Sequence, residues 1–260
     1  MESLTIRVNE RLKVLSDWCK FNKLCLNPSK CCYMLITTKK VNVNPVILLD
    51  NETVPRVNSY KYLGVFMDDS LKYHDHIDYI HSRLSRLCGI SYRLKDHICF
   101  NSAKSFYYSC VYSILTYCIC VWGGILQCTS RGDRLKSLHK KILKNLFCLD
   151  DREGCVFKKF GILKLTDIHR LYVCMYMYKV IKLNMCPTLQ FNLDLSYPAH
   201  AYSTRCFNDL VLPFPRVEAI RLNFKYQCVK LWNGVPESIK SLTSLRRFKK
   251  TLISTMLNEY

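Results

Sequence analysis

Between Ser105 and Ser130 the chain carries no charged side chain. A run of that length must leave water, either for a bilayer or for a protein core. Its make-up separates the two. Tyr107, Tyr108, Ser109, Tyr112, Ser113, Thr116 and Tyr117 fall inside it, and Gly123-Gly124 then breaks it. Hydroxyls at this density suit a helix whose neighbours accept their hydrogen bonds. We read a helix buried in a soluble core, with a membrane span as the rival. The rest of the chain can supply that core. Of 260 residues, 49% are apolar and 23% charged, which excludes global disorder, collagen-like repeats and a coiled coil.

The charge is less ordinary. Lys plus Arg number 39 against 20 Asp plus Glu, a net charge of +19. Such an excess favours polyanions, nucleic acid first and an acidic membrane surface second. The 16 Cys include no Cys-x2-Cys pair; the nearest are Cys31-Cys32 and Cys118-x-Cys120. That spacing argues against a structural zinc and for thiols serving as small hydrophobes. Charges at Glu2, Arg7, Glu10, Arg11 and Lys13 do not suit a secretory signal. The expected location is intracellular and reducing, cytoplasm or nucleus. His74-x-His76, with Asp75 and Asp78, reads as a solvated helix start with acids in the first turn, so no metal site is expected.

Periodicity gives the organisation. Leu4, Val8, Leu12, Leu15 and Cys19 recur at helical spacing and predict a helix over 3–21 after a Ser3 cap. Asn27-Pro28 is a stop. Residues 31–37 read as a buried strand, Val46–Leu49 and Thr53–Val57 as short strands joined by Asp50-Asn51, and Tyr60–Phe66 as another strand. After Ser70 the pattern turns helical. Ile77, Ile80, Leu84, Leu87, Ser91 and Leu94 share one face, with Arg86 and Arg93 opposite. A second helix follows Asn101 as cap. A third runs from about Asp133 to Leu149 on a stripe of Leu135, Leu138, Ile142, Leu146 and Leu149, with Lys136, Lys140, Lys141 and Lys144 opposite. A fourth covers roughly 167–183. Residues 185–215, with four prolines, read as an irregular wrap. A final helix fits Leu242, Leu245, Phe248, Leu252 and Met256. The fold class is α+β: a small antiparallel sheet with one helix, a mainly helical region, then an irregular and helical tail.

Three blocks carry a resemblance. The first is Trp18-Cys19-Lys20-Phe21-Asn22-Lys23-Leu24-Cys25-Leu26-Asn27-Pro28-Ser29-Lys30-Cys31. The second is Tyr60-Lys61-Tyr62-Leu63-Gly64-Val65, followed by Asp69-Ser70-Leu71 and His76-Ile77. The third is Leu231-Trp232-Asn233-Gly234-Val235-Pro236, then Phe248-Lys249. In this order the chain resembles the C-terminal half of the reverse transcriptases of non-LTR (LINE-type, jockey-like) retrotransposons. The resemblance implies a partial palm over 1–70, with motif D and the motif E hairpin called the primer grip (Tyr62, Leu63, Gly64). It implies a thumb-like region over 71–184 and a C-terminal tail over 185–260. It also implies Mg²⁺ for an intact parent polymerase, where two ions activate the primer hydroxyl. Lys30 then corresponds to the motif D lysine, placed in an intact parent to protonate the leaving pyrophosphate.

The catalytic aspartates of that family precede motif D. None is expected in this chain, and no cofactor is expected for it. Phe66-Met67-Asp68-Asp69 matches the family's Tyr/Phe-x-Asp-Asp box by letters, but it follows the motif D block and leads into a helical pattern. Its plainer reading is a strand end entering a helix N-terminus. The expected function is a 5′-truncated RNA-directed DNA polymerase, inactive alone. It would hold RNA, DNA or hybrid weakly by backbone phosphates through Arg86, Arg93, Lys136, Lys140, Lys141 and Lys144. Three alternatives stay open: a co-opted non-enzymatic nucleic-acid-binding protein, a membrane protein built on 105–130, and a polymerase using Asp68 and Asp69. Strand edges left unpaired by missing palm strands would favour aggregation unless covered.

Overall fold

The computed structural model describes residues 2–37, 44–148, 156–185, 209–212, 214 and 221–260. The chain divides into two compact units, Met1–His76 and Ile77–Tyr260. The fold is α+β, with two separate two-stranded antiparallel sheets and the remainder chiefly helical.

In the first unit, helix α1 (Glu2–Phe21) packs on a hairpin of β1 (Ile47–Leu49) and β2 (Glu52–Val54). The register pairs Ile47 with Val54 and Leu49 with Glu52. Asp50 and Asn51 both have positive φ, 51° and 68°, the type I′ turn that matches strand twist. Ile47, Leu49 and Val54 are buried, with Val8, Leu12, Leu26 and Tyr33 packed against them. Asp50 is tied back to α1 by Lys20 Nζ at 2.7 Å and by the Ser16 hydroxyl. Asn9 donates to Val46 O and accepts from Leu48 N, each at 3.1 Å. A helix side chain thus satisfies the free edge of β1 as a strand would. Between α1 and the hairpin lies an apolar cleft of about 500 Å³ lined by Leu4, Val8, Leu12, Leu26, Ile47 and Val54 among others.

Two sequence expectations change here. Residues 31–37 do not form a strand ladder. Only Tyr33 bridges, parallel to Arg56, with Tyr33 N donating to Pro55 O and Val57 N to Tyr33 O. Pro55 has no N–H to extend that pairing. Tyr60–Phe66 is not one strand but the turn of a hairpin, β3 (Ser59–Tyr62) with β4 (Val65–Asp68). Leu63 and Gly64 reverse the chain, again with positive φ, 46° and 85°.

In the second unit, α2 (His74–Leu94, entering from the first) buries Ile77, Ile80, Leu84 and Ser91. The uncharged run is not one helix. It begins in the last turn of α3 (Phe100–Phe106) and continues through a π segment (Tyr107–Tyr112), α4 (Ser113–Thr116), α5 (Ile119–Trp122) and a 3₁₀ stretch (Gly123–Gln127). Cys118, at φ 50°, makes the break. Tyr107, Val111, Leu115, Ile119, Trp122 and Leu126 are at most 1% exposed, so the run builds the core. Its hydroxyls turn inward on the helix: Ser109 donates to Ser105 O, Ser113 to Ser109 O and Thr116 to Tyr112 O, back-bonds that remove their need for water. No single described helix is long and apolar enough to cross a membrane; the pair Phe100–Thr116 and Ile119–Gln127, bent by 51°, passes only by length and composition. The first of these helices is capped at Cys99, not Asn101, since Ala103 N already bonds Cys99 O.

Helix α6 (Ser130–Leu146) starts three residues before Asp133 because Thr129 is its cap, accepting from Gly132 N at 3.1 Å. Leu135, Ile142 and Leu146 are buried as the stripe requires; Leu149 lies outside the described residues. After α7 (Val156–Phe160), helix α8 (Leu165–Lys182) is the centre of the unit. Against it pack α9 (Phe224–Asn233) and α11 (Leu245–Asn258), with α10 (Glu237–Lys240) between them in sequence. Tyr178 donates to Leu242 O at 2.8 Å and packs at a tilt on Phe248, 4.6 Å between centroids. Asn233 clasps Leu210, accepting from its N–H at 3.0 Å and donating to its carbonyl at 2.8 Å. The Trp232-Asn233 block is therefore a structural joint. The irregular wrap read over 185–215 lies for the most part outside the described residues.

Candidate nucleic-acid interface

The first candidate surface is the tip of the β3–β4 hairpin. Two-residue turns with both φ positive favour Asn or Gly; Leu at the first position is strained by roughly 1 kcal/mol. Leu63 is 73% exposed and Tyr62 60%, and Tyr60 on the same face is also open. Lys61, on the other face, lies 5.4 Å from the Phe66 ring centroid. The hairpin is propped from below: His76 is buried and accepts from Phe66 N through Nδ1 at 3.4 Å. Burial pushes its pKa down to about 4, so the ring is a neutral acceptor near pH 7. This corrects the reading of a solvated His74–Asp78 segment. Asp75 and Asp78 are exposed, but His76 is a strut.

Asp68 has a structural task. Its Oδ1 accepts from Ser70 N, the Ser70 hydroxyl and Lys72 N, and its Oδ2 from His74 N at 3.2 Å. Partial burial works to raise its pKa, but the bonds from Ser70, Lys72 and His74 outweigh it and hold the carboxyl below its ordinary value. A carboxylate so occupied folds the loop from β4 into α2 and does not fit a Mg²⁺ ligand. Among the described residues no three His, Cys, Asp or Glu converge on a metal position. Lys30 is exposed in a 3₁₀ turn (Pro28–Lys30) whose Lys30 N bonds Asn27 O.

The second candidate surface belongs to α2 and α6. Arg131 on α6 reaches Asp78 on α2 at 2.9 Å, and Asn145 donates to Ser91 at 3.1 Å. The links recur at nearly equal spacing along both helices, so the two run side by side in the same direction. Their outward faces carry the cations. Arg86 and Arg93 are exposed opposite the buried stripe of α2, and Lys140 and Lys141 are exposed on α6. Lys136 and Lys144 are half-buried, and Lys136 is paired with Asp133 at 2.6 Å. Asp78 and Asp133 are thus already neutralised by Arg131 and Lys136, which leaves the outward faces positive.

Sequence reasoning missed one basic group, Arg246, Arg247, Lys249 and Lys250 on α11, all exposed. The signal was legible, a run of four cations around one Phe.

No protein-family model matches this chain, and no solved structure matches it. Over 132 residues it is 25% identical to a Drosophila melanogaster protein described as "Probable RNA-directed DNA polymerase from transposon X-element". The matched stretch is 50% of this chain and 14% of that protein's length. The chain is therefore distantly similar, over half its length, to a transposon polymerase.

Proposed function

We propose that the chain is the late-palm, thumb and tail portion of a non-LTR, jockey-like (LINE-type) reverse transcriptase, and that it holds nucleic acid by its backbone. The observation that carries this reading is the hairpin. The block that resembles the primer grip forms a strained, exposed turn at Leu63-Gly64, and the chain is similar to a transposon RNA-directed DNA polymerase. Tyr60, Tyr62 and Leu63 offer faces on which unpaired bases stack. Arg86, Arg93, Lys140, Lys141 and Lys144 contact phosphates without reading sequence, and Lys136, held by Asp133, contributes less. The site of action is an intracellular, reducing compartment.

The 260 residues alone do not extend a primer in this reading. Mg²⁺ and the motif D role of Lys30 belong to an intact parent enzyme. A non-enzymatic nucleic-acid-binding role uses the same surfaces. The engagement of Asp68 by its own loop favours it over a polymerase built on Asp68 and Asp69.

The test is fluorescence anisotropy with an RNA–DNA hybrid across a KCl series, beside primer extension in Mg²⁺. Binding is expected to fall steeply with salt. The triple variant Lys140→Gln/Lys141→Gln/Lys144→Gln is expected to lower the salt slope. No extension is expected. Absence of hybrid binding at low salt refutes the binding reading, and extension abolished by Asp68→Asn refutes the non-catalytic one.

A further inference from the structure

The molecule offers several features that the proposed function does not use. The apolar cleft under α1 has nothing to show what covers it, and the thiols of Cys120, Cys174 and Cys228 are pushed up in pKa by burial and do not converge as metal ligands. The basic end of α11 carries an argument further. Phe248, Leu252 and Met256 are fully buried at four-residue spacing, which fixes the rotation of the helix. At about 100° per residue, Arg246, Arg247 and Lys250 then fall on the outward side and Lys249 on its flank. All four are exposed.

This arrangement is uncompensated within the described chain. Cations near a helix N-terminus oppose the macrodipole, and the first turn of α11 holds no acid. No described carboxylate is ion-paired with any of the four. The acids nearest in sequence are engaged elsewhere: Glu237 with Lys240 at 3.7 Å, and Glu259 with Arg170 at 3.3 Å. A surface that gathers like charges without relief is relieved by an external polyanion.

We propose that this face of α11 is a phosphate-backbone contact for duplex nucleic acid, separate from the α2–α6 surface. It rests on the reading that the chain binds nucleic acid. A bilayer fits less well, because among the described residues from 221 to 260 no large apolar side chain is exposed and membrane-surface helices need an apolar face to insert. A duplex presents one charge per about 1.7 Å of axis, and Arg246 and Lys250 stand about one helical turn, roughly 5.4 Å, apart. Each can therefore meet its own phosphate.

The experiment uses the full chain, a 20-base-pair DNA duplex and a matching RNA–DNA hybrid, with anisotropy measured from low to moderate KCl. The variant is Arg246→Gln/Arg247→Gln/Lys249→Gln/Lys250→Gln. The charge-matched control is Arg7→Gln/Arg11→Gln/Lys13→Gln/Lys23→Gln in the first unit, where all four positions are exposed. The expected result is a salt slope reduced by about 0.9 for each duplex phosphate that the variant no longer neutralises, with a clearly smaller change in the control. Equal changes in both variants reduce the effect to bulk charge and overturn the proposal. An unchanged slope in the α11 variant, with wild-type binding intact, also overturns it while the proposed function stands. Failure of the wild type to bind either probe sinks both. Wild-type capture by phosphatidylserine vesicles, abolished in the variant, with no binding to duplex, reassigns the face to membranes and overturns the proposal. If the variant misfolds, amine acetylation of the wild type decides. Duplex is expected to protect Lys249 and Lys250 more than Lys13 and Lys23, and equal protection refutes the assignment.

Discussion

Lowering the pH from 7 to 5 should destabilise the second unit through two histidines. His139 is fully buried, its Nε2 2.9 Å from the Tyr107 hydroxyl. His169 is 2% exposed and packed so closely on Gly123 that a Cβ there would lie 2.4 Å from its ring. Its Nε2 has no hydrogen-bond partner among the described residues. Burial holds both rings near pKa 4, against about 6.5 in an unfolded chain. Between those values the unfolded state takes up protons that the folded state refuses. Stability is therefore complete above about pH 6.5 and declines as the pH falls toward 4. Each histidine contributes about 1.4 kcal/mol per pH unit in that window, so the two together cost about 4 kcal/mol at pH 5. That is a large share of an ordinary domain's stability of roughly 5–15 kcal/mol. Asp68 and Asp50, whose pKa values are lowered, add losses only below their ordinary value of 3.8, outside this window and in the other unit. The assay is urea unfolding followed by tryptophan fluorescence, because Trp122 and Trp232 are buried in this unit while Trp18 is 55% exposed. His169→Phe should halve the pH slope whatever fixed cost it adds. A midpoint that does not move between pH 7 and 5, or an unchanged slope in His169→Phe, refutes the reasoning.

Three further outcomes follow from single contacts. Asn233→Ala strands both backbone groups of the buried Leu210 and should cost about 2–4 kcal/mol by urea unfolding, while Asn233→Asp, which still accepts from Leu210 N, should cost less. Gly132→Ala places a Cβ 2.5 Å from Leu126 O, against rigid backbone, and should lower the melting temperature measurably by circular dichroism. Leu63→Asn relieves the left-handed strain in the hairpin and should stabilise the first unit by up to about 1 kcal/mol, yet weaken hybrid binding in anisotropy; a variant that is both more stable and equally tight would separate the tip from binding.

Much of the fold was legible because period and burial agree. The stripes on α2, α6 and α11 come straight from apolar spacing, and Asp50-Asn51 names its own turn. The errors have local causes. Leu63 hid the second hairpin because propensity alone disfavours Leu at positive φ, although the resemblance to the primer grip pointed to a hairpin there. Residues 31–37 had strand composition but met only the segment around Arg56, where Pro55 has no N–H to extend the pairing. The π segment and the break at Cys118 left no mark in the hydropathy of the uncharged run. For the candidate site, exposure of Arg86, Arg93, Lys140 and Lys141 followed from helical phase. The pairing of Lys136 with Asp133 is an i,i+3 contact that spacing already offered, whereas the buried strut His76 and the loop-forming bonds of Asp68 depend on neighbours that spacing does not encode.

The packing of α9 and α11 on α8 has a topological consequence. Among the described residues, the contacts that hold them there include Tyr178 to Leu242 and Phe248, and Asn233 to Leu210. A cut between Met185 and Asp209 would sever the chain and leave each of these contacts with both its partners. The two pieces would stay together as a noncovalent pair, and stability would become concentration-dependent, since linkage no longer supplies the effective concentration. Cut there, the second unit would behave as two fragments whose association weakens as the protein is diluted.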